Sequence, residues 1–120
     1  MKRIVARFYR TEAGKEPVRD WLTNMNSADR KIVSSDIASV EFGWPRRMPA
    51  WESGTDDILE IRSTIENGSA EARTYFVVEG NVMLLLHGHK LETARGDEIE
   101  LTFERLKDHQ NRSGTPSKET

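Results

Sequence analysis

The chain has no cysteine in 120 residues. That excludes a disulfide framework, a thiolate nucleophile and a zinc ribbon. No apolar run approaches the roughly 20 residues that a membrane-spanning helix needs. The start, MKRIVARFYR, holds no apolar stretch long enough for a signal peptide. These absences predict a cytoplasmic protein with no membrane partner. Charge imbalance is also missing: 18 Lys and Arg against 20 Asp and Glu leave −2. Any case for binding a polyanion must therefore rest on a local basic patch. There is no glycine-rich phosphate loop and no internal repeat. What is plentiful is charge of both signs, 32% of residues, with a mean hydropathy of −0.68. A chain of this length builds one core. One domain over residues 1–108 is expected, followed by a disordered tail over 109–120, which has no apolar residue to bury.

The chain is organised around ILEIRSTIENGSAEARTYFVVEGNVMLLLHGHK, from Ile58 to Lys90. Asn67-Gly68 supplies the positive φ angles of a two-residue hairpin turn, and Glu79-Gly80-Asn81 is a second turn signal. A three-strand meander follows: Ile58–Ser63, Ala70–Val78 and Val82–His89. Alternation gives one apolar face and one carrying Glu60, Arg62, Arg73, Tyr75, His87 and His89. In the last strand it sets Met83 and Leu85 on the histidine side, against Val82, Leu84 and Leu86. The polar face reads equally well as the solvated side of a half-exposed sheet.

Upstream, Lys2–Tyr9 alternates as a further strand. Pro17 opens a helix whose Val18, Trp21, Leu22 and Met25 share a face, with Trp21 expected in the core. Asn26-Ser27 offers caps for a second helix reaching about Phe42, with Gly43 as its stop. Gly43–Asp57 is then a long loop. Its Trp44 and Trp51, beside Arg46 and Arg47, could stack on and pair with single-stranded RNA; alternatively both indoles plug the sheet edge. After the meander, Asp97–Lys107 is a third helix with Ile99, Phe103 and Leu106 on one face. The order β-α-α-β-β-β-α predicts an α+β domain, a four-stranded, mainly antiparallel sheet with a helical hairpin on one face.

The stretches FYRTEAGKEPVRDWL, DIASVEFGWPRRMP, LEIRS, EARTYFVV and MLLLHGHK together resemble the phage-derived, HigB-type branch of the RelE/ParE toxin superfamily, from about Phe8 to about Leu106. The resemblance implies a RelE-like microbial RNase fold and the toxin of a type II toxin–antitoxin pair. It implies an endoribonuclease (an mRNA interferase) acting on mRNA at the ribosome, with a helix-turn-helix antitoxin as partner. Metal-free RNA cleavage uses the ribose 2′-hydroxyl as nucleophile, so it needs proton transfer and a cation for the phosphorane. Arg73 and Arg62 suit the second task; His89, His87 and Tyr75 complete the candidate catalytic set. Arg73 is expected mid-strand and exposed, although a buried ion pair would explain it as well; for Arg62 the alternative is an ion pair with Glu60 or Glu71.

Where relatives carry Leu-His-Gly-Phe, a lysine pair and a Thr-Pro turn, this chain has Leu86-His87-Gly88-His89-Lys90-Leu91-Glu92. Lys90 and Arg95, with Arg46 and Arg47, are the remaining RNA-binding candidates. No third ligand joins His87 and His89 at suitable spacing, so no metal or other cofactor is assigned. The departure keeps two alternatives open, a ParE-like gyrase inhibitor and a degenerate member that only binds its antitoxin.

Overall fold

A computed structural model describes residues 1–45, 51–55, 58–91 and 96–112, with backbone alone at 51–55, 96 and 97. The elements are β1 (Val5–Phe8), α1 (Pro17–Thr23), α2 (Ser27–Gly43), β2 (Trp51–Thr55), β3 (Ile58–Ile65), β4 (Ala70–Glu79), β5 (Val82–Lys90) and α3 (Gly96–Arg112). They form an α+β domain whose sheet runs β1-β5-β4-β3-β2. β1 is parallel to β5 and the other pairings are antiparallel. β1, β3, β4 and β5 are the strands that periodicity predicts. β2 is additional; it lies in the stretch expected to be an irregular loop and pairs with β3. None of the described helices is long and apolar enough to cross a membrane.

The turns and caps follow local chemistry. Pro17 occupies the first turn of α1, where its missing N–H is no loss. The Asn26 side chain caps α2 by accepting from the Asp29 N–H at 2.8 Å. Asp29 in turn accepts from the Glu66 N–H at 3.1 Å, which takes Glu66 out of the β3–β4 ladder. The hairpin turn is therefore wider than two residues: pairing ends at Ile65–Ala70, and Glu66, Asn67 and Gly68 all have positive φ, at 53°, 56° and 92°.

Two cores lie on opposite faces of the sheet. Val18, Leu22, Val33, Ile37 and Val40 of the helical hairpin pack on Ile61, Ile65, Ala72, Phe76, Met83 and Leu85. Trp44 belongs here: its ring meets Phe76 edge-on at 6.3 Å, which favours the plugging role over RNA stacking. Trp21 is partly buried against the same core. Its indole fills the space beside Gly88, where an added Cβ would lie 2.2 Å from two ring carbons.

The other face is not solvated. α3 covers it, setting Ile99, Phe103 and Leu106 against Tyr9, Ile58, Tyr75, Val77, Leu84 and Leu86. α3 also runs on to Arg112, through residues expected in the tail. Its last turn is anchored by charge rather than apolar contact, since Arg112 bonds the Asp108 carboxylate at 2.7 Å and Tyr9 donates to the same carboxylate at 2.6 Å. Residues 113–120 lie outside the described residues.

Candidate functional site

β3, β4 and β5 set the candidate residues in two rows across the sheet. Arg62, Arg73 and His89 are cross-strand neighbours, and Glu60, Tyr75 and His87 form the next row. The second row exists because of a bulge. Tyr75 pairs with His87 and Phe76 with Leu85, leaving Leu86 without a partner. Strict alternation would put His87 and His89 with Met83 and Leu85. The extra residue instead turns both histidines to the α3 face, with Leu84 and Leu86. The bulge also frees the Leu86 carbonyl, which accepts from Arg105 of α3 at 2.9 Å.

The three rings of this cluster are stacked. Their centroids are 5.6 Å apart for His87 and His89, 5.7 Å for Tyr75 and His89, and 6.0 Å for Tyr75 and His87. The Tyr75 hydroxyl lies 3.2 Å from His89 Nε2. His87 is held at both nitrogens. Arg105 lies 3.1 Å from Nδ1, and because an arginine can only donate, Nδ1 must accept. Nε2 then carries the hydrogen and donates to Glu98 at 2.5 Å. His89 Nδ1 is 3.8 Å from the same carboxylate oxygen. His87 is thus a fixed neutral ring, whereas His89 is held by the Tyr75 hydroxyl and the Lys90 backbone, with Glu98 at the longer distance.

The arginines differ in exposure. The Arg73 side chain is only 9% exposed and reaches Glu60 at 3.3 Å and Glu71 at 2.6 Å. This corrects the expectation of an exposed Arg73. Arg62 is 39% exposed and lies 3.3 Å from Glu60, whose side chain is fully buried. Tyr75 is fully buried as well, so it meets the surface only through its contact with His89. Of the candidate side chains in the two rows only Arg62 is well exposed; His89, His87 and Arg73 each show a narrow edge, at 13%, 11% and 9%.

Burial depresses the pKa of His87; the Glu98 bond opposes this and Arg105 reinforces it. Burial likewise lowers His89, against the pull of Glu98. The His87 bond holds the Glu98 carboxyl below its usual range. Burial works against the Arg73 charge, yet Glu71 and Glu60 more than offset it and raise its pKa. A histidine with a lowered folded pKa is protonated first in the unfolded chain. Stability is therefore complete above the unfolded value near 6.5 and lost as pH falls through the lowered folded values. The melting temperature is expected to drop as pH falls below 6.5, and His87→Gln should flatten that drop. A melting temperature constant down to pH 5 would refute the buried neutral ring.

Of the RNA-binding candidates, Lys90 sits at the strand end, 3.0 Å from Glu66. Arg46, Arg47 and Arg95 lie outside the described residues. Glu60, Glu98 and Arg105 belong to the cluster but were not among the candidates. The signal for the last two was the spacing of Glu98, Thr102 and Arg105, a stripe beside the apolar face of α3. Among the described residues, no three His, Asp or Glu side chains are grouped to hold a metal ion. No protein-family model matches the chain, and no curated protein matches it as a relative.

Proposed function

We propose that this chain is the toxin of a type II toxin–antitoxin pair, a metal-independent endoribonuclease that cuts mRNA on the ribosome and is silenced by a helix-turn-helix antitoxin. The observation that carries the chemistry is the row Arg62–Arg73–His89 laid across three strands. It sets an imidazole able to move a proton beside two guanidinium groups on a rigid scaffold. His89 takes the proton from the 2′-hydroxyl. The 2′-oxygen attacks phosphorus, the bond to the 5′-oxygen breaks, and that oxygen leaves with a proton from solvent. The products are a 2′,3′-cyclic phosphate and a 5′-hydroxyl. Arg73 and Arg62 neutralise the charge that builds on the phosphorane. Tyr75, His87, Glu98 and Glu60 are positioning residues. The lowered pKa of His89 keeps it neutral, and so able to accept a proton, below the usual histidine range.

The antitoxin and ribosome assignments rest on the sequence resemblance alone. The test is inducible expression with mapping of mRNA 5′ ends, together with digestion of an RNA by purified protein. Cleavage at ribosome-positioned codons, lost when the cut nucleotide lacks its 2′-hydroxyl, is the expected result. Intact mRNA accompanied by DNA damage would replace this reading with gyrase inhibition.

A further inference from the structure

A concave site lies at the far end of α3. It is a cleft of about 400 Å³ with Tyr9, Val82 and Leu84 in its apolar floor and Arg7, Arg10 and Arg112 around its rim. Its one carboxylate, Glu79, is engaged by His109 at 3.0 Å. Arg112 is committed to structure: it bonds Asp108 and also donates to the Arg10 carbonyl, fixing the helix end to the segment after β1. The Arg112 bond, with that from Tyr9, holds Asp108 down to about 2. Arg7 and Arg10 remain. Arg7 is exposed and has no carboxylate partner among the described residues. Arg10, its side chain 68% exposed, comes no nearer than 3.9 Å to Glu16.

Two kinds of anionic ligand suit such a rim, an acidic peptide and a nucleotide. β1 lies at the sheet edge, which could template an added peptide strand. Glu41 occupies the start of that edge, its carbonyl accepting from the Ile4 N–H at 3.3 Å and its carboxylate from the Ala6 N–H at 2.7 Å, so little edge is left for a strand to pair with. Recognition falls mainly to side chains, an apolar floor for a ring and a guanidinium pair for a phosphate.

We infer that the cleft binds one nucleotide of single-stranded RNA, with its base on the floor and its phosphate at Arg7 and Arg10. The choice of RNA rests on the ribonuclease reading, and the cleft becomes a subsite distant from the cut. α3 runs antiparallel to β5, with Glu98 beside His87 and His109 beside Glu79. The cleft and His89 therefore share one sheet face. Val82 and His89, at opposite ends of β5, are about 23 Å apart at the usual strand rise; because α3 covers the face between them, a strand of RNA that reaches both runs along the flank of α3.

The test uses an RNA oligonucleotide of about a dozen residues, uncut because every 2′-position is methylated, and follows binding by fluorescence anisotropy at several salt concentrations. Arg7→Ala/Arg10→Ala is expected to weaken binding about tenfold and to reduce the salt slope by roughly 0.7, the counterion release of one single-strand phosphate contact. Its melting temperature should match wild type. An unchanged affinity and slope overturns the proposal, as does a polyglutamate peptide that binds as tightly as the RNA. Cleavage of unmodified RNA is measured in parallel. If wild type cleaves and the double variant has the same KM, the cleft assignment alone fails. If wild type binds through Arg7 and Arg10 yet never cleaves, the ribonuclease reading alone fails.

Discussion

Arg73→Ala is expected to lower both stability and cleavage, and the stability loss comes from Glu60. That carboxylate is fully buried, with Arg73 and Arg62 each at 3.3 Å. Removing one partner of a buried pair typically costs about 3–5 kcal/mol, because the other charge stays behind. The whole stability of a domain is only about 5–15 kcal/mol. An exposed arginine would have cost less than about 1 kcal/mol, so the burial of Arg73 changes what the variant means. Loss of toxicity in cells would not separate an inactive enzyme from an unfolded one.

The double variant Glu60→Leu/Arg73→Met separates them. Replacing both charges with apolar groups of similar size is often neutral or stabilising, so this protein should fold. If Arg73 stabilises the phosphorane, cleavage should still fall by about 10²–10³. Thermal melts of both variants and single-turnover cleavage of a short RNA decide the matter. A folded double variant that cleaves at the wild-type rate would show that Arg73 is purely structural.

The parts of this fold that were legible in the sequence are those set by local chemistry. Pro17, Asn26, Asn67-Gly68 and Gly80 each act through their own backbone or the next few residues, and they lie where a turn or cap is found. The polar residues of the sheet face were legible too, Glu60, Arg62, Arg73 and Tyr75 because alternation along β3 and β4 holds, and His87 with His89 because the two share a face beyond the bulge. What alternation could not show is the bulge opposite Tyr75. One unpaired residue reverses the facing of everything after it, and nothing in Leu84-Leu85-Leu86 marks which leucine is extra. The cover over the polar face was equally hidden. The apolar side of α3 was plain from Ile99, Phe103 and Leu106, but its docking partner depends on tertiary packing. Hence Arg73 read as exposed, and Glu98 and Arg105 were not among the candidates. The end of α3 was misplaced for a related reason: Arg112 looks like tail composition until Asp108 and the Arg10 carbonyl, the latter distant in sequence, come to meet it.

Gly88→Ala should be among the most damaging single-methyl changes in the chain. Gly88 lies on the face opposite His87 and His89, under the indole of Trp21, and an added Cβ would sit 2.2 Å from two ring carbons and 2.8 Å from a third. The indole is large and rigid, so the clash cannot be relieved by rotating a flexible end. Either α1 lifts or β5 sinks. Overpacking of this kind costs about 1–3 kcal/mol and sometimes more. The shift also reaches the site, because Gly88 joins the two histidines and β5 carries both. His87 tolerates little movement with Glu98 at 2.5 Å and Arg105 at 3.1 Å.

The assignment of cause is testable by a cycle. In a Trp21→Ala background the space beside residue 88 is open, and Gly88→Ala should then cost well under about 1 kcal/mol. The coupling between the two positions is expected to reach about 1–3 kcal/mol, the upper range for residues in contact. Chemical denaturation of the four proteins measures it. If Gly88→Ala is equally destabilising with and without the indole, the damage comes from the strand backbone and Trp21 has no part in shaping the histidine strand.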